Sequence, residues 1–331
     1  MIIEKRAYAR AGLLGNPSDG YYGKTISIIV RNFGAHISLY QSPELKIAPQ
    51  EQDLNEYRNI FHLVESVSLT GYYGGSRLIK AAIKKFAEFT EKEQIRLAGK
   101  NFTIRYRSSI PRQVGLAGSS AIITATMRAL MQFYKVEIAP EVLANLVLSA
   151  ETDELGIRAG LQDRVIQAFE GCVYMDFDET HFTKNGIGRY ERIPPEKLPP
   201  LFIAYKTELG KVSGTVLNNI RVRFEKGDKE VIDSLKEMAS LSDLGKDAIL
   251  KGDHDTLFEL MNRNFDLRCK IMQISEENME LVQTARDCGV SAKFTGSGGS
   301  IIGIYKDDEA LTRLVVAMRK IKARVIKPYI I

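Results

Sequence analysis

Between residues 111 and 121 the chain reads Pro-Arg-Gln-Val-Gly-Leu-Ala-Gly-Ser-Ser-Ala, a glycine–serine stretch set between two patterns of different period. Upstream, Asn101–Arg107 alternates with period two and predicts a half-buried strand. Downstream, Ile122, Ala125, Ala129, Leu130 and Phe133 recur at helical spacing. The order is therefore strand, glycine-rich loop, helix. Gly115 and Gly118 allow a tight turn and close approach of the backbone to a ligand. The helix that follows offers unpaired N–H groups and the positive end of its dipole. These properties fit a phosphate cradle, and they fit as well a helix start capped by Ser119 or Ser120 with no ligand. No Lys-Ser/Thr follows Gly118, which excludes a Walker A loop.

The rest of the chain suits a mixed, globular protein. With 331 residues it can bury a large core, and 44% hydrophobic with 26% charged residues is ordinary for a folded chain. The net charge of +5 is a mild excess without a dense Lys/Arg run, so no nucleic-acid partner is expected. Cys172, Cys269 and Cys288 are odd in number and lack CxxC spacing; His36, His62, His181 and His254 are scattered. Neither a disulfide framework nor a zinc site is expected. Residues 1–6 meet charge at once, and no stretch reads as a membrane span, so a cytoplasmic protein without a membrane partner is expected.

Strands are predicted over Ala7–Leu14, Thr25–Phe33 and Ala35–Gln41, with punctuation at Gly15-Asn16-Pro17 and Asn32-Phe33-Gly34. Pro140 suits the first turn of a helix running out near Gly156. Val173–Phe177 and Leu201–Tyr205 read as strands separated by a polar turn region. Residues 213–288 are mostly helical and charged, and the end reads strand, helix, strand over Ser300–Tyr305, Asp308–Ile321 and Ala323–Ile331. A composition change near residue 170 divides the chain into 1–170 and 171–331.

Three stretches then align in order with one family. Pro111–Ala121 closely resembles the central motif of the GHMP kinases, Arg6–Asp19 resembles their N-terminal substrate motif, and Lys293–Ser300 resembles their C-terminal glycine-rich motif. The resemblance implies an α+β, two-lobed fold, with a ribosomal-protein-like N-terminal lobe that binds ATP and a ferredoxin-like α/β C-terminal lobe with added helices. It implies that Pro111, Gly115, Leu116, Ala117, Gly118, Ser119, Ser120 and Ala121 hold ATP. It places the Mg2+ ligands at Ser120 and Glu151, one hydroxyl and one carboxylate, which suffices for an ion that keeps several waters. Read from the residues alone, Glu151 is not separable from its acidic neighbours Asp153 and Glu154. An acid at a helix C-terminus opposes the dipole and favours a functional reason for at least one of them.

Asp163, in Gly160-Leu161-Gln162-Asp163-Arg164, corresponds in the family's sugar kinases to the aspartate that meets the acceptor hydroxyl, as base or as orienting acceptor. The other reading is a local Asp163–Arg164 pair of structural value. Arg10 aligns with an arginine beside that aspartate, which implies a lowered aspartate pKa and stabilised transition-state charge. Asn16, Pro17, Ser18 and Asp19, with Gly296, Ser297 and Gly298, are the implied substrate residues. Where the family motif often ends Gly-Glu-His-x-Asp, this chain has Gly15-Asn16-Pro17-Ser18-Asp19. Loss of a carboxylate there suits an acceptor that is itself anionic, because like charges repel.

Gly15–Ser27, Gly71–Leu78, Pro111–Ile123, Gly156–Arg164 and Lys293–Gly299 resemble the uronic-acid branch of the family, which phosphorylates the anomeric hydroxyl of D-glucuronate. Tyr205–Arg223 matches less clearly. Arg112, Arg164, Lys24 and Lys211 are candidates for the cation at the sugar carboxylate, and Gly71–Arg77 is either a nucleoside-edge loop or a helix N-terminus. The alternatives are another acceptor (galacturonate, galactose, arabinose or a small alcohol) and a non-catalytic nucleotide–sugar sensor. The retained set of Ser120, Glu151, Asp163 and Arg10 argues against a sensor. A monomer or homodimer is expected.

Overall fold

A computed structural model describes residues 2–48, 75–206 and 214–331, the side chains of 214–219 excepted. The described residues fall into two compact units, each built from separated stretches of chain. The first draws on Met1–Ala9, Phe33–Ile110 and Ala117–Ala168, and the second on Arg10–Asn32, Pro111–Leu116 and Phe169–Ile331. The expected boundary near 170 thus lies at the last of several points where the chain changes unit.

In the first unit, the later part of β2 (Lys24–Ser42) pairs antiparallel with β4 (Asn101–Ser108), Ala35 opposite Ser108 and Ser42 opposite Asn101. The short β3 (Lys46–Ile47) lies parallel to β4. The expected break at Asn32-Phe33-Gly34 does not interrupt β2. Gly34 keeps its backbone partnered, donating its N–H to Ser109 Oγ and accepting from the Ser109 N–H, so the glycine costs no hydrogen bond. Helices α1 (Gly75–Lys92), α2 (Gly118–Tyr134) and α3 (Pro140–Thr152) all pack on one another. Helix α2 buries an almost continuous apolar and small-residue run from Ala121 to Leu130. Edge-to-face contact of Phe102 with Phe133, centroids 5.4 Å apart, ties α2 to β4. A short helix, α4 (Gln162–Phe169), follows α3.

The second unit contains an antiparallel sheet in the order β10-β7-β9-β8, formed by Ala323–Ile326, Leu201–Lys206, Ser300–Ile304 and Lys293–Phe294. β9 and β10 flank β7 and are both antiparallel to it, so the chain passes over β7 through α10 (Asp308–Lys320). This is the expected strand–helix–strand order, with the last strand ending at Ile326 rather than Ile331. On one face, α8 (His254–Ile271), α9 (Glu276–Asp287) and α10 bury Phe265, Leu281, Val282, Leu314 and Met318 against Phe202, Ala204, Phe294 and Ile301.

A second core joins α6 (Gly214–Glu225), α7 (Lys229–Lys251) and α8 through Ile220, Leu235, Met238, Leu267 and Ile271. Asp228 and Asp253 cap α7 and α8 with their carboxylates. The polar stretch after β5 (Cys172–Asp176), expected as turns, instead holds α5 (Glu179–Asn185) and β6 (Arg189–Ile193). Asp178 caps α5 by accepting from the His181 N–H, and β6 pairs with β5 from Asp176–Arg189 to Cys172–Ile193. Local capping and a sheet edge organised a composition that alone reads as loop. Among the described residues no helix is long and apolar enough to cross a membrane.

Phe202 has no exposed surface and lies at the centre of the sheet–helix core. Phe202→Ala is expected to cost about 3–5 kcal/mol, read as a clear fall in the thermal unfolding midpoint.

Candidate active site

The central loop hands over to α2 at Ala117, whose backbone is left-handed (φ 59°, ψ 50°) and which makes no side-chain capping bond. Ser119 and Ser120 sit inside the first turn rather than ahead of it. Of the two readings of this segment, a serine-capped start is therefore not what forms. The first turn keeps N–H groups with no side-chain cap, as an anion site at a helix end requires.

Below that turn lies Glu151, near the end of α3 and without exposed surface. Its Oε1 accepts from Ser119 Oγ at 2.6 Å. Its Oε2 accepts from Arg164 Nε at 2.6 Å and also from Arg164 Nη2. Arg164, itself buried, gives Nη1 to the Gly160 carbonyl at 2.9 Å and lies 3.2 Å from Asp163 Oδ2. Two guanidinium N–H groups on one carboxylate oxygen, with Ser119 on the other, compensate the charge in the interior. Asp163 stands in the first turn of α4 with its side chain partly exposed, where a carboxylate meets the favourable end of the helix. Gln167, one turn further on, gives its amide to the carbonyls of Tyr8 and Ala117 and so anchors α4 to the start of α2.

The three acids at the end of α3 separate clearly. Asp153 and Glu154 form ion pairs with Lys84 and Lys85 on α1, and Glu154's hydrogen bonds to these lysines hold its carboxyl below the usual range. Only Glu151 of the three is buried. The hydroxyl on Glu151 is Ser119's, whereas Ser120 Oγ donates to the Ala117 carbonyl at 3.3 Å. One buried carboxylate with two adjacent serines on the neighbouring helix is a hard-oxygen donor set that fits Mg2+.

In the second unit, Arg10 is buried and its Nη1 donates to the carbonyls of Gly115 at 2.6 Å and Thr295 at 2.9 Å. The glycine-rich segment Thr295–Gly299 lies on the backbone of Val114–Gly115. Thr295 Oγ1 bonds the Gly115 carbonyl, and Ser300 Oγ bonds the Val114 carbonyl at 2.5 Å. A Cβ on Gly296 would sit 2.5 Å from the Gly115 carbonyl oxygen, and one on Gly115 would sit 2.8 Å from that of Gly298. Gly115 also has φ +70°, so neither position has room for a side chain.

Asn16 is buried and its Oδ1 accepts from Lys293 Nζ at 2.5 Å. Asn264 on α8 accepts from the Gly15 N–H at 2.7 Å and donates to the Asn16 carbonyl at 3.2 Å. Ser18 is also buried and bonds the Lys24 carbonyl; Pro17 and Asp19 are partly exposed. Asn16 is thus a framework residue that fixes this loop, with Lys293 as its clamp. Burial, followed by repulsion from Arg268 and Arg10, pushes the Lys293 ammonium well below the ordinary lysine value.

Of the cations expected near a substrate carboxylate, Lys24 pairs with Asp243 at 2.8 Å and Arg164 is taken by Glu151. Arg112 is exposed. Lys211, residues 71–74 and residues 207–213 of the weakly matching 205–223 stretch lie outside the described residues. Gly75–Arg77 opens helix α1. Sequence reasoning passed over Arg164 as the partner of Glu151, and also Asn264, Arg268 and the clamp made by Lys293. A signal for two of these was present. In α8 the buried stripe Leu257, Met261, Asn264, Phe265, Arg268, Ile271 carries two polar residues at core spacing.

The family models for the GHMP kinases N terminal domain and the GHMP kinases C terminal domain match residues 77–171 and 246–323. Glucuronokinase 1 of Arabidopsis thaliana is 44% identical over 319 residues, covering 95% of this chain and 88% of that protein. D-glycero-alpha-D-manno-heptose 7-phosphate kinase of Campylobacter jejuni is 23% identical, covering 96% and 93%. Among solved structures, galactokinase of Lactococcus lactis complexed with galactose superposes with a TM-score of 0.80 at 16% identity, covering 99% of this chain and 93% of that one. Mevalonate kinase of Methanococcus jannaschii gives 0.71 at 21%, covering 100% and 98%. The chain belongs to the GHMP kinase family. It is a small-molecule kinase of α+β fold.

Removing one partner of the Glu151–Arg164 pair leaves a buried charge uncompensated. Arg164→Met is expected to destabilise by about 3–5 kcal/mol, and Glu151→Leu combined with Arg164→Met to restore much of that loss. Denaturant unfolding of the single and double variants reads the difference.

Proposed function

We propose that this kinase transfers the γ-phosphoryl group of ATP to the anomeric hydroxyl of D-glucuronate, giving D-glucuronate 1-phosphate and ADP. The observation that carries this reading is the 44% identity to a glucuronokinase across 95% of the chain. The chemistry of the N-terminal loop supports it independently. The position where a Glu-His pair would face a neutral sugar is occupied here by Asn16 and Pro17, and Asn16 is spent on Lys293.

The division of labour follows from the residue types. The uncapped first turn of α2, with the Pro111–Ala121 backbone, holds the phosphates of ATP by N–H groups and helix dipole. Glu151 with the hydroxyls of Ser119 and Ser120 would hold Mg2+, which supplies charge neutralisation on the phosphates. Asp163 accepts the hydrogen bond of the acceptor hydroxyl, orients its oxygen and takes its proton as the new P–O bond forms and ADP leaves. Arg10 supplies positive charge to the transferring group. Asn16–Asp19 and Gly296–Gly298 shape the sugar subsite. Residues 1–170 form the ATP-binding domain and 171–331 the C-terminal domain of a cytoplasmic enzyme, active as a monomer or homodimer.

An ATP-consumption panel with glucuronate, galacturonate, galactose, arabinose and mevalonate tests the acceptor. Turnover is expected with glucuronate and little with galactose, and preference for a neutral sugar overturns the reading. Chelation of Mg2+ abolishes turnover. Asp163→Asn is expected to lower kcat by about 10²–10⁴-fold while ATP binding, read by titration calorimetry, is retained; near-full activity removes Asp163 from the chemistry.

A further inference from the structure

Arg268 is a buried cation that the roles assigned so far leave unused. It lies on the core-facing stripe of α8 and is 3% exposed. Its guanidinium stacks over the Phe294 ring, 5.0 Å from the centroid, and Nη1 donates to the Gly296 carbonyl at 2.8 Å. Nε is buried without a hydrogen-bond partner. Arginine has five N–H donors in a planar fork. Among the described residues the structure gives this one a single hydrogen bond, to a neutral carbonyl, and no carboxylate partner. A guanidinium desolvated on those terms is costly. Burial pushes Arg268 down to about 10, and Arg10 adds repulsion.

The surroundings favour an anion. Arg10 acts as a like charge on both Arg268 and Lys293, and Asp19 acts on Arg268 in the opposite sense. Lys293 spends its three N–H groups on Gly12, Asn16 and Phe294 oxygens. Arg10 commits Nη1 to two carbonyls. Arg268 keeps its buried Nε without a partner, and it touches the carbonyl of Gly296, in the segment assigned to the sugar. A planar bidentate acceptor of one negative charge would satisfy Nε and Nη2 together.

We infer that Arg268 is the residue that binds the carboxylate of the sugar-acid substrate and so sets the preference for an acid over its neutral counterpart. The inference rests on the uronic-acid reading above and assigns its carboxylate subsite.

The test compares glucuronate with glucuronamide, the neutral amide of the same sugar, in the full-length wild type and in Arg268→Gln. In the variant, the ratio of kcat/KM for the acid to that for the amide is expected to fall about 10–100-fold, the worth of one charge-assisted bidentate contact. The KM for ATP should stay within about twofold. A purely structural arginine would depress both substrates alike and leave the ratio unchanged, which overturns the inference. A rise in the KM for ATP with an unchanged acid-to-amide ratio also overturns it and assigns the guanidinium to phosphate. Should Arg268→Gln fail to fold, Arg268→Lys supplies the same readout with the charge kept and the fork removed, and an unchanged ratio there overturns the inference equally. Absence of wild-type turnover with every uronic acid defeats the uronic-acid reading itself, an outcome distinct from turnover that persists with an unaltered ratio in the variants.

Discussion

A carboxylate with no exposed surface has to be compensated from inside the protein, and the way Glu151 is compensated organises the first unit. Arg164 reaches it from the helix that carries Asp163, and Ser119 reaches it from the helix that follows the glycine loop. Three helix ends are thereby pinned to one side chain. The first turn of α2 and the first turn of α4, the two places proposed to handle phosphates and an acceptor hydroxyl, inherit their positions from that charge. The acid pairs of Asp153 and Glu154 with Lys84 and Lys85 lie on the surface beside it and do different work, tying α1 to the end of α3. Such exposed pairs contribute little to stability.

In the second unit the organising contacts are made by cations reaching backbone oxygens. Arg10 gathers the carbonyls of Gly115 and Thr295, Lys293 those of Gly12 and Phe294, and Arg268 that of Gly296. Neutral carbonyls satisfy hydrogen-bonding geometry but leave the net charge standing. The result is a framework in which buried cations hold loop backbone in place, and it suits the anionic substrates proposed above.

Much of this was legible in the sequence. The change of hydrophobic period around Pro111–Ala121 located the strand, loop and helix, and three motifs in order gave the family. The strand–helix–strand end read correctly because its apolar pattern is strong. What stayed hidden depended on partners far apart in the chain. Nothing near Asn32–Gly34 says that Ser109 will keep the strand paired, and nothing near Asp178 says that a strand edge awaits Arg189–Ile193. The serines at 119 and 120 look like caps by composition, yet Ala117 adopts the left-handed conformation and displaces that role. Glu151 could be told from its acidic neighbours only when Arg164 and the lysines of α1 were seen to choose between them. Arg268 was marked only by its core spacing on α8, which gives no role. Its meaning lies in what it fails to meet, and a sequence records no missing partners.

The glycines at 115 and 296 face each other with less room than a methyl group needs. Backbone against backbone is a joint with no adjustable part: no side chain there can be lengthened, shortened or recharged without separating the two strands of chain. The centre of the site is in this sense closed to gradual change. Any shift in which acceptor is taken has to be written at positions that hold side chains, such as 19 and 268. The fold thus separates a fixed core of phosphate chemistry from a substitutable collar of recognition, and the boundary between them is the width of one missing carbon atom.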